Sequence, residues 1–370
     1  MTTTTTGSFR YLDPKTIHSS SDNSKPWAKV DTDATSYSQT TITKPVTDIR
    51  SLPPPELSPP FSHFTTSTDK TGFSLHRSPS LVPATAFQSN PPDQTTIYTQ
   101  YYPEIESLLR KHLVLSSGPT NNNNNNNNNN PSSPPEENEN KETKIHKILI
   151  FDHTIRKHDP SAPRQPVQSV HVDQTPRAAE ARVRRHVSSR EEADTLLRKR
   201  YQIVNVWRPI GHVASDFPLA LVDWRTTDPR TDLVAVDLLY PLRREENGGA
   251  ASSSSEKVGD GNGDGDDDGD DRGKEVLPDP EARADTKGYE VKGETYGVVP
   301  NEKHRFFYVK DMTPDEVLFI KCFDSWGQGM PAGKEGIANC TPHTAFIDPQ
   351  TPPGAKGRES VEVRCLVFYD

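Results

Sequence analysis

Cysteine is scarce. Cys322, Cys340 and Cys365 are the only three in 370 residues. An odd, widely spaced set is no disulfide framework, so a reducing compartment, the cytoplasm, is the expected setting. Long apolar runs are missing too, and none approaches the roughly 20 residues that a membrane-spanning helix needs. The opening stretch MTTTTTGSFRYLDP has no apolar segment of the kind a secretory signal requires, so no export signal is expected. No basic stripe runs through the chain, which argues against nucleic acid as a partner.

Apolar residues are also few, at 31% of the total, while prolines number 34. Such an average can come from a weak core throughout or from a normal core diluted by polar inserts. The distribution favours dilution. Residues 118–142 contain an unbroken Asn tract (121–130) followed by PSSPPEENENKE. Residues 245–286 carry 14 Asp/Glu against 4 Lys/Arg, so the chain's net charge of −9 arises there and the remainder is near neutral. Neither segment has apolar periodicity, and both are expected to be disordered inserts. Residues 1–70, rich in Thr, Ser and Pro, are expected to form an extended or poorly ordered arm. That leaves 71–370 as one domain interrupted at 118–142 and 245–286.

Within that domain, residues 101–113 (YYPEIESLLRKHL) space their apolar side chains as a short helix does. KILIFDHTIR (147–156) reads as a buried strand. Residues 177–201 are helical in composition and charged on most faces, and read as a solvated surface helix. Strand-like runs bounded by Pro, Gly and Asp follow: YQIVNVWRPI, PLALVDW, DLVAVDLLYP, TYGVVP, HRFFYVK, EVLFIKCFDS, HTAFIDP and ESVEVRCLVFYD. Six or more short strands argue for a mainly β sandwich or barrel core with peripheral helices.

The stretch QSVHVDQT (168–175) places His171 and Asp173 two apart in a strand-like segment, where both point to one face. Alone the pair is a weak signal, since about one such H-x-D is expected by chance in a chain of this composition. A third element strengthens it: His343 in TPHTAF, then Arg358 and Ser360 in GRESVEVR. Non-haem Fe(II) is commonly held by two His and one carboxylate on one triangular face, leaving open positions. In oxygenases that use 2-oxoglutarate as cosubstrate, an R-x-S pair after the second His binds the far carboxylate. An Arg fork and a hydroxyl at i and i+2 of a strand suit that task. His304 and His212 are rival ligands, and Arg358 could equally pair with Glu359 or Glu362. Asn205 and Arg208 in NVWRP are candidates to touch substrate or cosubstrate, while Trp207 and Trp224 read as core.

At these residues the chain also resembles the fungal hydroxylase/desaturase family, which includes aspergillic-acid-type hydroxylases, gibberellin desaturases and cephem methoxylase-like proteins. FDHTIR, VHVDQT, RYQIVNVWRPI, PLALVDWR, DEVLFIKCFDS, HTAFIDP and RESVEVRCLVF carry the resemblance, in that order. It covers most of residues 70–370 apart from the two inserts. The acidic insert, and the approach SWGQGMPAGKEGIANCTPHTAF to His343, are longer than the family pattern. The resemblance implies a double-stranded β-helix (jelly-roll) core and an Fe(II)/2-oxoglutarate oxygenase of secondary metabolism. It places His171, Asp173 and His343 on the metal and Arg358 with Ser360 on the cosubstrate. The expected partners are a small organic substrate and O2, with no membrane. Two other readings stay open: an iron oxygenase independent of 2-oxoglutarate, and a non-catalytic interaction scaffold.

Overall fold

In the computed structural model, residues 3–17, 25–32, 34–52, 67–113, 144–242 and 286–370 are described. Fourteen strands run in chain order: β1 (Thr4–Leu12), β2 (Trp27–Lys29), β3 (Gln39–Asp48), β4 (Phe73–Arg77), β5 (Ile145–Lys157), β6 (His171–Val172), β7 (Tyr201–Pro209), β8 (Leu219–Val222), β9 (Leu233–Pro241), β10 (Tyr289–Val298), β11 (Phe306–Tyr308), β12 (Glu316–Asp324), β13 (His343–Ala345) and β14 (Glu359–Tyr369). They form a nine-stranded sheet of order β1-β3-β11-β8-β13-β6-β10-β9-β2 and a five-stranded sheet of order β4-β12-β7-β14-β5.

Alternation along each strand explains the layering. On β7, Ile203 and Trp207 face the space between the sheets, together with Leu318 and Ile320 of β12 and Leu221 and Phe307 of the larger sheet. The intervening Val204 and Val206 face outward beneath the helix Tyr102–His112, which lays Ile105, Leu108 and Leu109 on them. With both faces covered, every residue of β7 is buried. β5 was expected to be a buried strand. It is an edge strand, most of it half-buried, with a neighbour on one side only.

Two further expectations are corrected. The N-terminal segment is not merely an arm. β1 and β3 pair in antiparallel register from Thr4↔Thr47 to Leu12↔Gln39, and β3 joins β11. The alternating burial of β1 turns Phe9 and Tyr11 inward, and the Phe9 ring stacks on Phe306 at 3.7 Å between centroids. Nor is 177–201 one solvated helix. It is two, Pro176–His186 and Arg190–Leu197, capped by the Thr175 and Ser189 side chains. Between its arginines, Ala179, Val183, Ala193 and Leu196 form a buried stripe against the inter-sheet core. The segments 118–142 and 245–286, apart from Thr286, lie outside the described residues.

Candidate metal centre

β6 and β13 are neighbours in the nine-stranded sheet, and their register sets His171 directly opposite His343. The two imidazoles therefore lie side by side, with centroids 4.5 Å apart. Each ring is oriented by its own strand. His171 Nδ1 is 2.8 Å from the carbonyl of Ser169, and His343 Nδ1 is 3.0 Å from that of Thr341. A carbonyl accepts only from an N–H, so the proton sits on Nδ1 and the lone pair is left on Nε2 in both rings.

Asp173 completes the group. Its Oδ1 is 3.3 Å from His171 Nε2 and 3.9 Å from His343 Nε2. Its other oxygen accepts a hydrogen bond from Asn205 Nδ2 at 2.7 Å, with Cys322 Sγ at 3.8 Å. One ligand atom from each of His171, Asp173 and His343 fits within 4.8 Å of the others. A first-row divalent ion with ligand bonds near 2.1 Å at right angles separates its ligand atoms by about 3 Å. The two nitrogens and one oxygen thus suit such an ion once they draw in from 3.3 and 3.9 Å, a contraction of up to about 1 Å.

The electrostatics agree with that donor set. Burial, with His171 alongside, pushes His343 down to about 4, which keeps it neutral near pH 7. Burial would also lower His171, but its contact with Asp173 outweighs this and raises it. Burial alone would raise the Asp173 carboxyl. The adjoining His171 and His343 imidazoles outweigh it and hold the carboxyl well below the usual carboxylate range.

The remaining sequence candidates divide. Asn205 is in the site, but as a partner of Asp173. Arg208 is not: three residues on, it faces the opposite side of β7, where it meets the Tyr101 ring at 5.5 Å and Glu104 at 3.4 Å. His304 is no ligand to this group, because Tyr11 Oη and Asp232 occupy its two nitrogens. His212 turns its Nε2 to the Gly357 carbonyl. Arg358 and Ser360 are both buried, at the mouth of β14. Neither Glu359 nor Glu362 pairs with Arg358. Its Nη1 donates to the Phe217 carbonyl at 2.6 Å, its guanidinium lies 5.5 Å from the Trp207 ring centroid, and its Nε is buried without a partner. Burial, then the neighbouring Arg156, pushes Arg358 down to about 9.

Among the other charged residues of this chamber, sequence reasoning gave Arg156 and Asp152 no role, and named Glu362 and Arg364 only as a possible partner and a possible substitute of Arg358. On β14, Val361, Val363 and Cys365 face the helix layer, so Ser360, Glu362 and Arg364 face inward. Arg364 pairs through two nitrogens with Asp152, at 2.5 and 2.6 Å, and stands opposite Asn205 in the ladder. Arg156 lies opposite Ser360 on β5. Burial and the charge of Asp173 raise Glu362, against Arg156 and Arg364. The signal was present in RESVEVR, which puts a polar or charged side chain at every second position of a central strand.

Two packed, curled β-sheets of the jelly-roll kind, closing on a His–Asp–His group, define a β-fold with a candidate metal centre. The chain belongs to the family described as the oxidoreductase/YMDC permease-like domain, whose model matches residues 135–257 and 279–368. Among the described residues no helix is long and apolar enough to cross a membrane. The chain is 28% identical over 305 residues to the hydroxylase/desaturase efuI of Hormonema carpetanum, covering 82% of this chain and 79% of that protein. It is 34% identical over 179 residues to the hydroxylase/desaturase asaB of Aspergillus flavus, covering 48% of this chain and 60% of that one. Among solved structures, the iron and alpha-ketoglutarate-dependent endoperoxidase NvfI shares the fold. Its TM-score is 0.61 at 20% identity, with 99% of this chain and 98% of that one covered.

Proposed function

We propose that this chain is an Fe(II)/2-oxoglutarate-dependent hydroxylase or desaturase of a small organic molecule in fungal secondary metabolism. The observation that carries the reading is the convergence of two Nε2 lone pairs and one carboxylate oxygen beside Asn205 of β7, with a buried guanidinium lacking a carboxylate partner against Trp207 of the same strand face. His171, Asp173 and His343 would hold Fe(II), and Arg358 with Ser360 would take the far carboxylate of the cosubstrate. Bound Fe(II), with 2-oxoglutarate and O2, supplies the oxidising power to replace a C–H bond by C–OH or to remove two hydrogens.

The chain's own residues do the rest. The Ser169 and Thr341 carbonyls hold the imidazole tautomers, and Asn205 occupies one Asp173 oxygen so that the other is directed at the histidines. Trp207 and the inter-sheet core keep bulk water from the chamber. Glu362 and Arg156 give its wall polar groups for orienting a substrate. The relatives' names, hydroxylase/desaturase among them, favour this class of reaction. The partners are then a small molecule and O2 and not nucleic acid, and the three free cysteines suit the cytoplasm.

Anaerobic titration tests the reading. One Fe(II) per chain is expected, followed by a visible charge-transfer band on adding 2-oxoglutarate, with both lost in His343→Ala. A protein that binds no iron is a scaffold instead. Iron binding and turnover of a true substrate without succinate release would point to an oxygenase independent of 2-oxoglutarate.

A further inference from the structure

We infer that Asp216 and Phe217 are positioning residues that fix the Arg358 guanidinium for a bound dicarboxylate. The inference rests on the cosubstrate reading above. Phe217 has φ of 42°, in the left-handed region that a bulky side chain rarely enters, and it precedes Pro218. Such a conformation persists only where its surroundings over-determine it, and it turns the Phe217 carbonyl onto Arg358 Nη1 at 2.6 Å.

The surroundings are all present. Asp216 Oδ2 accepts from the Arg358 backbone N–H at 3.2 Å and contacts His158 Nδ1 at 2.5 Å. The His158 backbone N–H donates to the Arg358 carbonyl at 2.8 Å, and the His158 ring packs on Phe217 at 4.1 Å between centroids. Further back, Ser215 Oγ donates to Asp311 at 2.6 Å, and Asp311 is the other non-glycine residue of positive φ among those described. Ala214 bonds to Met312, so the loop is anchored on both sides of Ser215. Arg358 is therefore gripped at its backbone N–H, its carbonyl and Nη1, with the Trp207 ring alongside its plane.

A surface arginine needs no such device. A guanidinium that must meet a carboxylate as a planar fork does, because its direction decides how many hydrogen bonds it can make. Fixing it in advance removes an ordering cost from ligand binding.

The test is a double-mutant cycle read by 2-oxoglutarate binding to the anaerobic Fe(II) protein. Arg358→Ala is expected to weaken binding at least tenfold, as for loss of a charge-assisted pair. Asp216→Ala is expected to weaken it roughly three- to tenfold, with Fe(II) affinity within about twofold of wild type. In the Arg358→Ala background, Asp216→Ala should cause no further loss, because it acts only through Arg358. Equal losses in both backgrounds, or unchanged affinity in Asp216→Ala, would overturn the positioning role and leave the anchor reading intact. Unchanged affinity in Arg358→Ala would remove the anchor reading and this inference with it. If Asp216→Ala no longer binds Fe(II), Asp216→Asn carries the same cycle. It keeps shape and an acceptor oxygen, and its single-mutant loss should be smaller but again absent without Arg358.

Discussion

At the scale of single residues, the site depends on second contacts as much as on the three candidate ligands. Asp173 must present one oxygen to two imidazoles, and the Asn205 amide occupies the other. Asn205→Ala is therefore expected to lower Fe(II) affinity by roughly 10- to 100-fold, the usual effect of deleting a partner of a metal ligand. Anaerobic competition with a chelator measures it, and an affinity within twofold of wild type would show that Asp173 needs no such support. His171 and Asp173 were readable because the i, i+2 rule is local. Which distant histidine meets them is decided by strand register, which no local pattern contains. That is why His304 and His212 stayed rivals of His343 until β6 and β13 were seen paired. Arg208 was misread against a rule that the sequence already offered, since i and i+3 of a strand point apart.

At the scale of elements, strand β12 holds a fully buried ionic cluster that secures the approach to His343. Lys321 donates to Asp69 and Asp324 at 2.8 and 2.7 Å, and Arg200 to the same two carboxylates at 2.8 and 2.6 Å. Lys321 also donates to the Ala338 carbonyl at 3.1 Å, and Ala338 N–H to the Asp69 carbonyl at 2.8 Å, which ties residues 67–72 and 338–341 to the sheet. Removing one member leaves uncompensated buried charge, so Lys321→Met should destabilise the fold by about 3–5 kcal/mol in urea denaturation. Burial would raise both aspartates, but Lys321 and Arg200 outweigh it and lower them. A lowered folded value means that stability is present above the ordinary carboxylate range and is lost as pH falls through it. Wild-type stability should thus drop between about pH 5 and pH 3 more steeply than that of Lys321→Met. Equal slopes would show that the acid sensitivity lies elsewhere. The cluster was invisible in the sequence because its four charges are scattered over 255 residues and only the fold neutralises them. RESVEVR, by contrast, was legible as a strand but not as the wall of a chamber. Alternation normally sends polar groups to solvent, and here the neighbouring helix covers the other face.

At the scale of the whole molecule, composition misjudged the N-terminus. Thr-rich TTTGSFRYL lacks the apolar density of a core strand, yet its alternation is enough once Phe306 and His304 receive Phe9 and Tyr11. The acidic segment is a different case, and its flanks say what its removal should do. β9 and β10 are antiparallel neighbours, paired from Tyr289↔Pro241 to Val298↔Leu233, and Leu242 N–H donates to the Gly288 carbonyl at 2.8 Å. The two ends of the segment are thus already held at hairpin distance by the described ladder. Deleting 246–285 leaves a connection of a length that ordinary hairpins use. Closure of the shortened loop is easier by about 2 kcal/mol, from roughly three halvings of length at about 0.6 kcal/mol each, set against any strain in the new turn. The deletion variant is therefore expected to melt within a few degrees of the full chain, or above it, and to bind one Fe(II) with unchanged affinity. A loss of more than about 10 °C, beyond the few degrees that 1 kcal/mol shifts a domain of this size, would mean that the acidic segment packs on the body. Retained stability with impaired turnover would instead place the segment in substrate handling, separable from the fold and from the metal by the same three measurements.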